Sequence, residues 1–217
     1  MAIKLIFFDF WGTLVENGVF PSPVKQVKWI LRLKDMPFPE YIVKFEEVFM
    51  TKKFKDLREG FEEVAKAFDI NAPEFIFENL IGMWNKNTIL SKPFEDTIAA
   101  LEDLKKDYKI VLISNTIGFS VNSVLDKYDM RKYFDEVALS CDSGYLKSNN
   151  KLFEDILKKL KVKKNEAVMV GDSIESDVKS AENAGINAIL VDRRGKREYE
   201  NKISDLSELK GKLEQEK

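Results

Sequence analysis

The chain begins with a short apolar run that ends at a carboxylate. Five of the six residues 3–8 are apolar, and several are β-branched or aromatic. Such a run, without polar alternation, is typical of a strand buried on both faces of a parallel sheet. The run stops at Asp9, and Gly12 and Thr13 follow where we predict a tight turn. Because ligands of open α/β sheets bind beyond the carboxyl ends of the strands, Asp9 is predicted to lie at a binding edge.

Helical spacing replaces the strand pattern after Leu14 and continues to about Ser91. Apolar residues recur at three- and four-residue intervals, and prolines and short polar connections separate the segments. This pattern predicts four amphipathic helices packed as a small bundle and inserted after the first strand as a cap domain, residues 15–91. Phe and Trp are dense here, and we expect most of them in the bundle core and a few in the wall of a substrate pocket. The predicted helices span residues 23–34, 40–50, 54–68 and 74–84.

An alternation of helices and strands begins at Pro93 and continues towards the C-terminus. The order predicts an α/β fold in which residues 1–14 and 92–217 form a parallel sheet with helices on both faces. From Asp205 onward we expect a polar closing helix that frays. The predicted strands span residues 109–113, 137–139, 167–170 and 188–191, and the predicted helices span residues 94–106, 120–127, 151–161 and 177–184.

The composition limits the partners and the chemistry. A net charge of −2, from 35 basic and 37 acidic residues, gives no reason to expect nucleic acid or an anionic membrane as a partner. No apolar run approaches the ~18 residues of a membrane span, and Lys4 and Asp9 interrupt the apolar run at the N-terminus, so no signal peptide is predicted. The single Cys141 cannot form an internal disulfide, and we expect a cytoplasmic protein. Because the chain has no histidine, acid–base steps near neutral pH must use a carboxylate, Lys, Tyr, the lone Cys or a metal-bound water.

Four of the predicted strands are followed closely by side chains suited to phosphate or metal chemistry. Singly, each has an ordinary explanation: Ser114 suits a helix cap, Lys147 a solvated loop and Asp172 a turn. Because parallel strands place their carboxyl ends along one edge of the sheet, the whole set is predicted to converge there. The set consists of Asp9 with Thr13, Ser114 with Asn115, Lys147, and Asp172 with Asp177.

This set favours phosphoryl transfer. A carboxylate such as Asp9 can attack phosphorus and form an acyl phosphate, and the reaction mainly needs positioning and charge neutralisation. Asp9 and Asp172 can together hold Mg²⁺, which binds a few oxygens and keeps several waters. Lys147 adds a fixed positive charge, and Ser114, Thr13 and the turn amides can donate hydrogen bonds to phosphoryl oxygens.

The sequence resembles the haloacid dehalogenase (HAD) superfamily, whose members are mostly Mg²⁺-dependent phosphatases. The resemblance rests on residues 9–13, residues 112–115, Lys147 and residues 171–177. It implies a Rossmann-like core and a C1-type helical cap, and it implies that the cofactor is Mg²⁺ and the partner a small phosphorylated substrate.

The resemblance also implies a role for each matching residue. Asp9 is the nucleophile and Lys147 the second catalytic residue. Ser114 and Lys147 bind phosphate, and we count Thr13 and Asn115 with them. The metal ligands are Asp9, the carbonyl of Trp11 and Asp172, with Asp177 supporting that end of the site.

One position departs from the pattern of the family. Its phosphatases usually carry a second Asp two residues after the nucleophile, which protonates the leaving group, and this chain has Trp11 there. The Trp11 carbonyl can still bind metal, but an indole is no acid, and losing general acid catalysis typically costs ~10²–10⁴-fold in rate. A substrate with a good leaving group, or an acid from the cap such as Glu16, would compensate. A smaller departure is Ser148, where Pro often follows the motif lysine.

Three functions stay open from the sequence. We favour a Mg²⁺-dependent phosphohydrolase that acts on a small phosphorylated metabolite through an aspartyl-phosphate intermediate, as a monomer or weak homodimer. A 2-haloacid dehalogenase also tolerates an aromatic residue after its Asp nucleophile, but Asp172 suits a cation that dehalogenation does not need. Such an enzyme also needs an Arg near the cap linker, and only Arg32 and Arg58 lie in the first half of the chain. The third possibility, favoured by Trp11, is a slow-turnover or inactive phosphate-binding protein.

Overall fold

The computed structural model describes residues 2–215, which form eight strands and ten α-helices. The strands are β1 (Leu5–Phe8), β2 (Val15–Glu16), β3 (Lys92–Pro93), β4 (Lys109–Ser114), β5 (Glu136–Leu139), β6 (Ala167–Gly171), β7 (Asn187–Val191) and β8 (Lys202–Ile203). The helices are α1 (Pro23–Ile30), α2 (Phe38–Phe49), α3 (Leu57–Ala67), α4 (Glu74–Leu90), α5 (Thr97–Leu104), α6 (Gly118–Lys127), α7 (Ser140–Ser143), α8 (Asn150–Leu160), α9 (Lys179–Asn183) and α10 (Leu209–Gln215). None of the helices within residues 2–215 is both long and apolar enough to cross a membrane.

Six strands form one parallel sheet in the order β5–β4–β1–β6–β7–β8. Strand β1 lies near its centre, and Phe8 pairs with Leu112 of β4 on one side and with Val170 of β6 on the other. The residues that follow these three strands therefore meet at one edge of the sheet. The predicted α/β fold class, a parallel sheet with surrounding helices, is confirmed.

The central strand is apolar throughout because helices cover both faces of the sheet. Ile6 and Phe8 point into one apolar cluster, which α5, α6 and α10 complete. Leu5 and Phe7 point into the other, which α8 and α9 complete. All four side chains are fully buried, as expected for a strand inside a parallel sheet.

Helices α1–α4 form a helical block that lies between β2 and β3 in the chain and packs around an apolar cluster of its own. Aromatic rings form its centre, with centroids 4.9 Å apart for Phe49 and Phe61 and 5.1 Å apart for Phe49 and Trp84, which is the range of favourable aromatic pairs. Ile117, at the start of α6, also packs into this cluster, so the helical block contacts the loop that follows β4. The domain boundaries at residues 15 and 91 remain a prediction, and residues 1, 216 and 217 of the predicted core lie outside the described residues.

Two short strands join the helical block to the sheet, and the sequence pattern does not predict them. Strands β2 and β3 pair antiparallel, and the Leu14 carbonyl accepts hydrogen bonds from Phe94 N and Thr97 Oγ1 just beside them. A two-residue strand is too short to produce a readable alternation. The predicted helix bounds also differ, because α4 continues past Trp84 to Leu90.

The C-terminal segment differs most from the prediction of a polar, fraying helix. Leu206, Leu209 and Leu213 are buried in the apolar cluster that contains Phe8. Strand β8 was also not predicted, and it extends the sheet by pairing with β7. The three leucines recur at helical spacing among charged residues, so they form a narrow apolar face that packs the segment against the core.

Candidate active site

Asp9 is the first residue after β1 and the centre of the site. Its side chain is buried, and its Oδ2 accepts a hydrogen bond of 3.1 Å from Thr13 Oγ1. The intervening turn requires Gly12, which has a φ of +86° and whose Cβ, if it had one, would lie 2.8 Å from the Asp172 carboxylate. The predicted tight turn is therefore present, and it brings a hydroxyl onto the carboxylate.

Lys147 lies in the loop after α7, and its side chain is buried. Its Nζ lies 2.7 Å from Asp9 Oδ1 and also donates a hydrogen bond to Asp177 Oδ1. Its backbone N–H donates to Asn115 Oδ1 at 2.8 Å, so the residue that follows β4 holds the lysine loop in place. A buried ammonium with two carboxylate partners avoids the cost of an unpaired buried charge.

The end of β6 contributes two more carboxylates through a tightly wound segment. A π-helical turn over Ile174–Val178 folds Asp177 back beneath the strand end, where its Oδ2 accepts a hydrogen bond of 2.9 Å from Ser173 N. Only glycine fits at Gly171, because a Cβ there would lie 2.3 Å from the Asp177 carboxylate. Turns of this kind are frequent at functional sites. The prediction of a regular helix over residues 177–184 is wrong for its first residues, since the α-helix begins only at Lys179.

Carboxylate oxygens of Asp9, Asp172 and Asp177 lie within 4.8 Å of one another. Burial raises the pKa of Asp172, the charge of Asp9 adds to this effect, and Arg197 opposes it. Burial also raises the pKa of Asp177, against the charge of Lys147. Burial alone would lower the pKa of Lys147, but the charges of Asp177 and Asp9 outweigh it and raise that pKa. The buried Asp9 and Asp177 and the partly exposed Asp172 face two cationic side chains, and a divalent cation would offset the excess negative charge.

A cavity of about 250 Å³ is lined by the sheet edge and by the helical block. Asp9, Lys147 and Asp172 lie on the side of the sheet, and Glu46 and Trp84 reach the cavity from α2 and α4. Trp84 is the single aromatic residue of the helical block in the described lining, so the expectation that a few would wall a pocket is met by one residue only.

Trp11 also lines the cavity, and its ring and hydrogen-bond contacts lie within the α/β part of the chain, which is the sheet with its surrounding helices. Its ring packs edge-on against Phe10 with centroids 4.9 Å apart, and its Nε1 donates to Thr116 Oγ1 at 3.4 Å. The side chain at this position therefore presents an aromatic surface to the cavity. The phosphatases that the sequence resembles usually have an acid here.

The structure brings the predicted site residues together around this cavity. Thr13 and Asp177 lie behind the cavity lining. Thr13 donates a hydrogen bond to Asp9, and Asp177 accepts one from Lys147. The residues of the predicted set that line the cavity are Asp9, Trp11, Ser114, Asn115, Lys147 and Asp172.

Two of the predicted residues are placed differently from the expectation. The side-chain amide of Asn115 already bonds Lys147 N and Glu46, which favours a positioning role, and its phosphate contact remains a prediction. Glu16 lies on β2, where its half-exposed carboxylate is 3.6 Å from Lys92 Nζ, and it does not line the cavity among the described residues.

Sequence reasoning missed two charged residues of the site. Arg197, in the loop after β7, donates to Asp172 Oδ2 at 3.1 Å, and Glu46 of α2 accepts a hydrogen bond of 2.9 Å from Asn115 Nδ2. Both lie in charge-rich segments far along the chain from their partners, so no local signal separates them from solvated surface charges.

This fold and this arrangement of acids and lysine coincide with a match to a known family. The sequence model of the haloacid dehalogenase-like hydrolases matches residues 3–185. The chain belongs to this family, and the resemblance inferred from the sequence is confirmed.

Individual proteins similar to this chain include both phosphatases and a dehalogenase. The chain is 30% identical over 223 residues to the glyceraldehyde 3-phosphate phosphatase of Methanothermobacter thermautotrophicus, covering 96% of this chain and 98% of that protein. Among solved structures it is similar to a HAD phosphatase from Thermococcus onnurineus, with a TM-score of 0.65 and 25% identity over 97% of this chain and 98% of that one. It also has the fold of a 2-haloacid dehalogenase from Pseudomonas syringae pv. Tomato DC3000, with a TM-score of 0.67 and 21% identity over 100% of both chains.

Proposed function

We propose that this chain is a Mg²⁺-dependent phosphohydrolase that cleaves the phosphate monoester of a small metabolite through an aspartyl-phosphate intermediate. The observation that carries the proposal is the buried Asp9, held 2.7 Å from Lys147 Nζ at the end of the central strand and beside Asp172. The names of its relatives support a phosphatase of the HAD type.

In this mechanism each residue of the α/β part acts at a stated atom. One carboxylate oxygen of Asp9 attacks phosphorus, and the bond between phosphorus and the ester oxygen breaks. Thr13 Oγ1 fixes the carboxylate through its hydrogen bond to Oδ2. Lys147 neutralises phosphoryl charge while remaining protonated, and Ser114 at the end of β4 offers its hydroxyl to a phosphoryl oxygen.

The donor set fits a hard divalent cation, since it consists of oxygens and carries excess negative charge. Asp9, Asp172 and the carbonyl of Trp11 would hold Mg²⁺, and Asp177 would support that end of the site. The bound cation would offset the repulsion between the Asp9 carboxylate and the phosphate.

We infer that the substrate is a phosphorylated metabolite with few carbon atoms, such as glyceraldehyde 3-phosphate. The cavity of about 250 Å³ is smaller than the ~300–1,000 Å³ clefts that hold drug-sized ligands. The relative from Methanothermobacter thermautotrophicus is named for this triose phosphate. The helical block, residues 15–91, is proposed to act as a cap that completes the cavity.

The two other functions have less support. A haloacid dehalogenase needs an arginine for the substrate carboxylate, and among the described residues no arginine lines the cavity. Arg32 is exposed, and Arg58 pairs with Glu62 and Glu74 on the outside of the helical block. A non-catalytic binding protein would have no use for a nucleophile paired with a buried lysine.

Hydrolysis assays with and without metal test this proposal. We expect phosphate release from glyceraldehyde 3-phosphate and from p-nitrophenyl phosphate in Mg²⁺, loss of activity in EDTA, and recovery when Mg²⁺ is restored. Full activity after thorough metal removal would contradict the mechanism. Chloride release from 2-chloropropionate without phosphatase activity would favour the dehalogenase, and no turnover with tight phosphate binding would favour the binding protein.

A further inference from the structure

We propose that Glu46, which the helical block contributes to the cavity, is the general acid that protonates the leaving alcohol in place of the carboxylate absent at Trp11. The proposal rests on the phosphatase function proposed above. It assigns to the block a catalytic residue in addition to its role as a cover.

The placement of Glu46 distinguishes it from the other acids. Three carboxylates line the cavity among the described residues, and two of them, Asp9 and Asp172, serve as nucleophile and metal ligand in the proposed mechanism. Glu46 is the third and belongs to α2, on the opposite wall. Lys147, the remaining ionisable side chain of the described lining, is engaged with Asp9 and Asp177.

The Asn115 amide fixes the orientation of Glu46. The backbone N–H of Lys147 can only donate, so Asn115 must present Oδ1 to it, at 2.8 Å. This leaves Nδ2 to donate to Glu46 Oε2, at 2.9 Å. Glu46 is thereby joined through one side chain to the loop that carries Lys147, and its Oε1 is left to carry a proton.

The surroundings favour the protonated form of Glu46. Burial raises the pKa of this carboxyl, and the negative charge of Asp9 acts in the same direction. The hydrogen bond from Asn115 and the charge of Lys147 oppose the shift without cancelling it. A phosphate dianion that enters the cavity adds negative charge near the carboxyl and raises its pKa further. A carboxyl kept neutral in this way can donate a proton.

The two steps of the reaction balance with Glu46 as the only proton donor and acceptor. Asp9 attacks phosphorus, the ester P–O bond breaks, and the proton of Glu46 passes to the leaving oxygen, which departs as an alcohol. Water then attacks the phosphorus of the aspartyl phosphate and loses a proton to the Glu46 carboxylate. The acyl P–O bond breaks, Asp9 is regenerated, inorganic phosphate leaves, and Glu46 is protonated again.

The test compares Glu46→Gln with wild type on two substrates of different leaving group. The Gln side chain keeps an acceptor for Asn115 but cannot donate an acidic proton, so kcat on glyceraldehyde 3-phosphate should fall ~10²–10⁴-fold. The nitrophenolate of p-nitrophenyl phosphate leaves without a proton. This substrate should therefore give a rapid burst of about one equivalent of nitrophenolate, followed by slow turnover, because the aspartyl phosphate accumulates without its base.

A matched control is Glu47→Gln, the same change at the neighbouring exposed position of α2, which should leave both activities at the wild-type level. In a second variant, Trp11→Asp in the Glu46→Gln background, the restored carboxylate should recover at least part of the lost glyceraldehyde 3-phosphate turnover. Thermal melting curves must show that each variant is folded before its kinetics are compared.

Several results would overturn the role of Glu46. The first is a kcat of Glu46→Gln within about twofold of wild type on both substrates. The second is an equal loss of kcat on both substrates without a nitrophenolate burst. The third is a folded double variant that recovers no turnover of glyceraldehyde 3-phosphate. If wild type itself hydrolyses neither phosphate, the phosphatase function fails and takes the role of Glu46 with it. If wild type is active and only the burst is missing, Glu46 alone is misassigned.

Discussion

At the scale of single residues, the site consists of charges that depend on one another. Asp9 and Asp177 compensate the buried ammonium of Lys147, and that ammonium allows both carboxylates to remain in a buried place. Arg197 pairs with Asp172 at 3.1 Å on the other side, where both side chains are partly exposed. Removing one charge therefore disturbs its neighbours as well as the chemistry, and variants of the site need a stability measurement beside the kinetics.

Asp9→Asn is the most direct test of the nucleophile. The change preserves volume and can keep the hydrogen bond with Thr13, but the amide cannot attack phosphorus, so kcat should fall about 10⁴- to 10⁶-fold, the scale of nucleophile removal. Lys147 keeps Asp177 as a partner, so the protein should remain folded. Phosphate release and thermal melting measure both effects.

The control for this variant is Asp142→Asn, the same substitution at an exposed carboxylate that pairs with Lys53. It should leave kcat unchanged, because exposed ion pairs contribute little. Wild-type turnover in Asp9→Asn would refute the nucleophile assignment.

At the scale of elements, short segments after the strands place the chemistry. The turn at Gly12, the π-helical turn over Ile174–Val178 and the loop after β7 each bring a side chain to the same edge of the sheet. The loop after β7 has its own organising residue, Asp192. It is buried and accepts hydrogen bonds from Lys196 N and Arg197 N, at 3.2 and 2.8 Å.

Asp192 should make the stability of the protein depend on pH. The backbone N–H of Arg197, with help from Lys202, lowers the pKa of Asp192 to about 2 in the folded protein, below the ~3.9 of an unfolded Asp. A carboxyl with a lowered pKa stabilises the fold above the unfolded pKa, and this contribution is lost as the pH falls from about 4 to about 2.

Urea unfolding of wild type and Asp192→Asn measures this contribution. We expect the variant to be less stable at neutral pH and the difference in unfolding free energy to shrink as the pH falls through this window. A difference that stays constant from neutral pH to about pH 2 would exclude the titration of Asp192 as its source. Because the same loop carries Arg197, the variant should also weaken the ion pair between Arg197 and Asp172.

At the scale of the whole molecule, the helical block and the sheet meet through polar contacts around the cavity. Trp84 Nε1 donates to Ser120 Oγ at 2.9 Å, and Glu46 accepts a hydrogen bond from Asn115. The two walls of the cavity are therefore joined by hydrogen bonds. Of the described residues of the α/β part, only Ile117 and the partly buried Leu146 join the apolar cluster of the block. A small apolar contact with several hydrogen bonds is suited to opening and closing. The oligomeric state, a monomer or weak homodimer, remains a prediction.

Hydrogen–deuterium exchange tests whether the block moves as a cap. With Mg²⁺ and inorganic phosphate bound, we expect slower exchange at residues 17–22 and 91–93, which connect the block to the sheet, because ligand binding favours the closed arrangement. Amides inside the apolar cluster of the block, such as those of α3, serve as the control and should not change. Protection confined to residues 9–16 would instead indicate local binding without movement of the block.

The sequence by itself determined the features that depend on local periodicity. The continuous apolar run before Asp9 indicated a strand buried on both faces, and the helix–strand order indicated the parallel sheet, as found. Since parallel strands end at a common edge, the convergence of Asp9, Lys147 and Asp172 also followed from the order of the elements. These inferences need only the spacing of residues along the chain.

Contacts between distant segments were decided only by the tertiary structure. Glu46 and Arg197 have no distinguishing neighbours in the sequence, and they reach the site because α2 and the loop after β7 pack against it. The fastening of the C-terminal leucines and the pairing of β2 with β3 likewise arise from the packing of remote parts of the chain. A side chain's partner across a cavity depends on the relative placement of whole elements, and periodicity within one element carries no information about that placement.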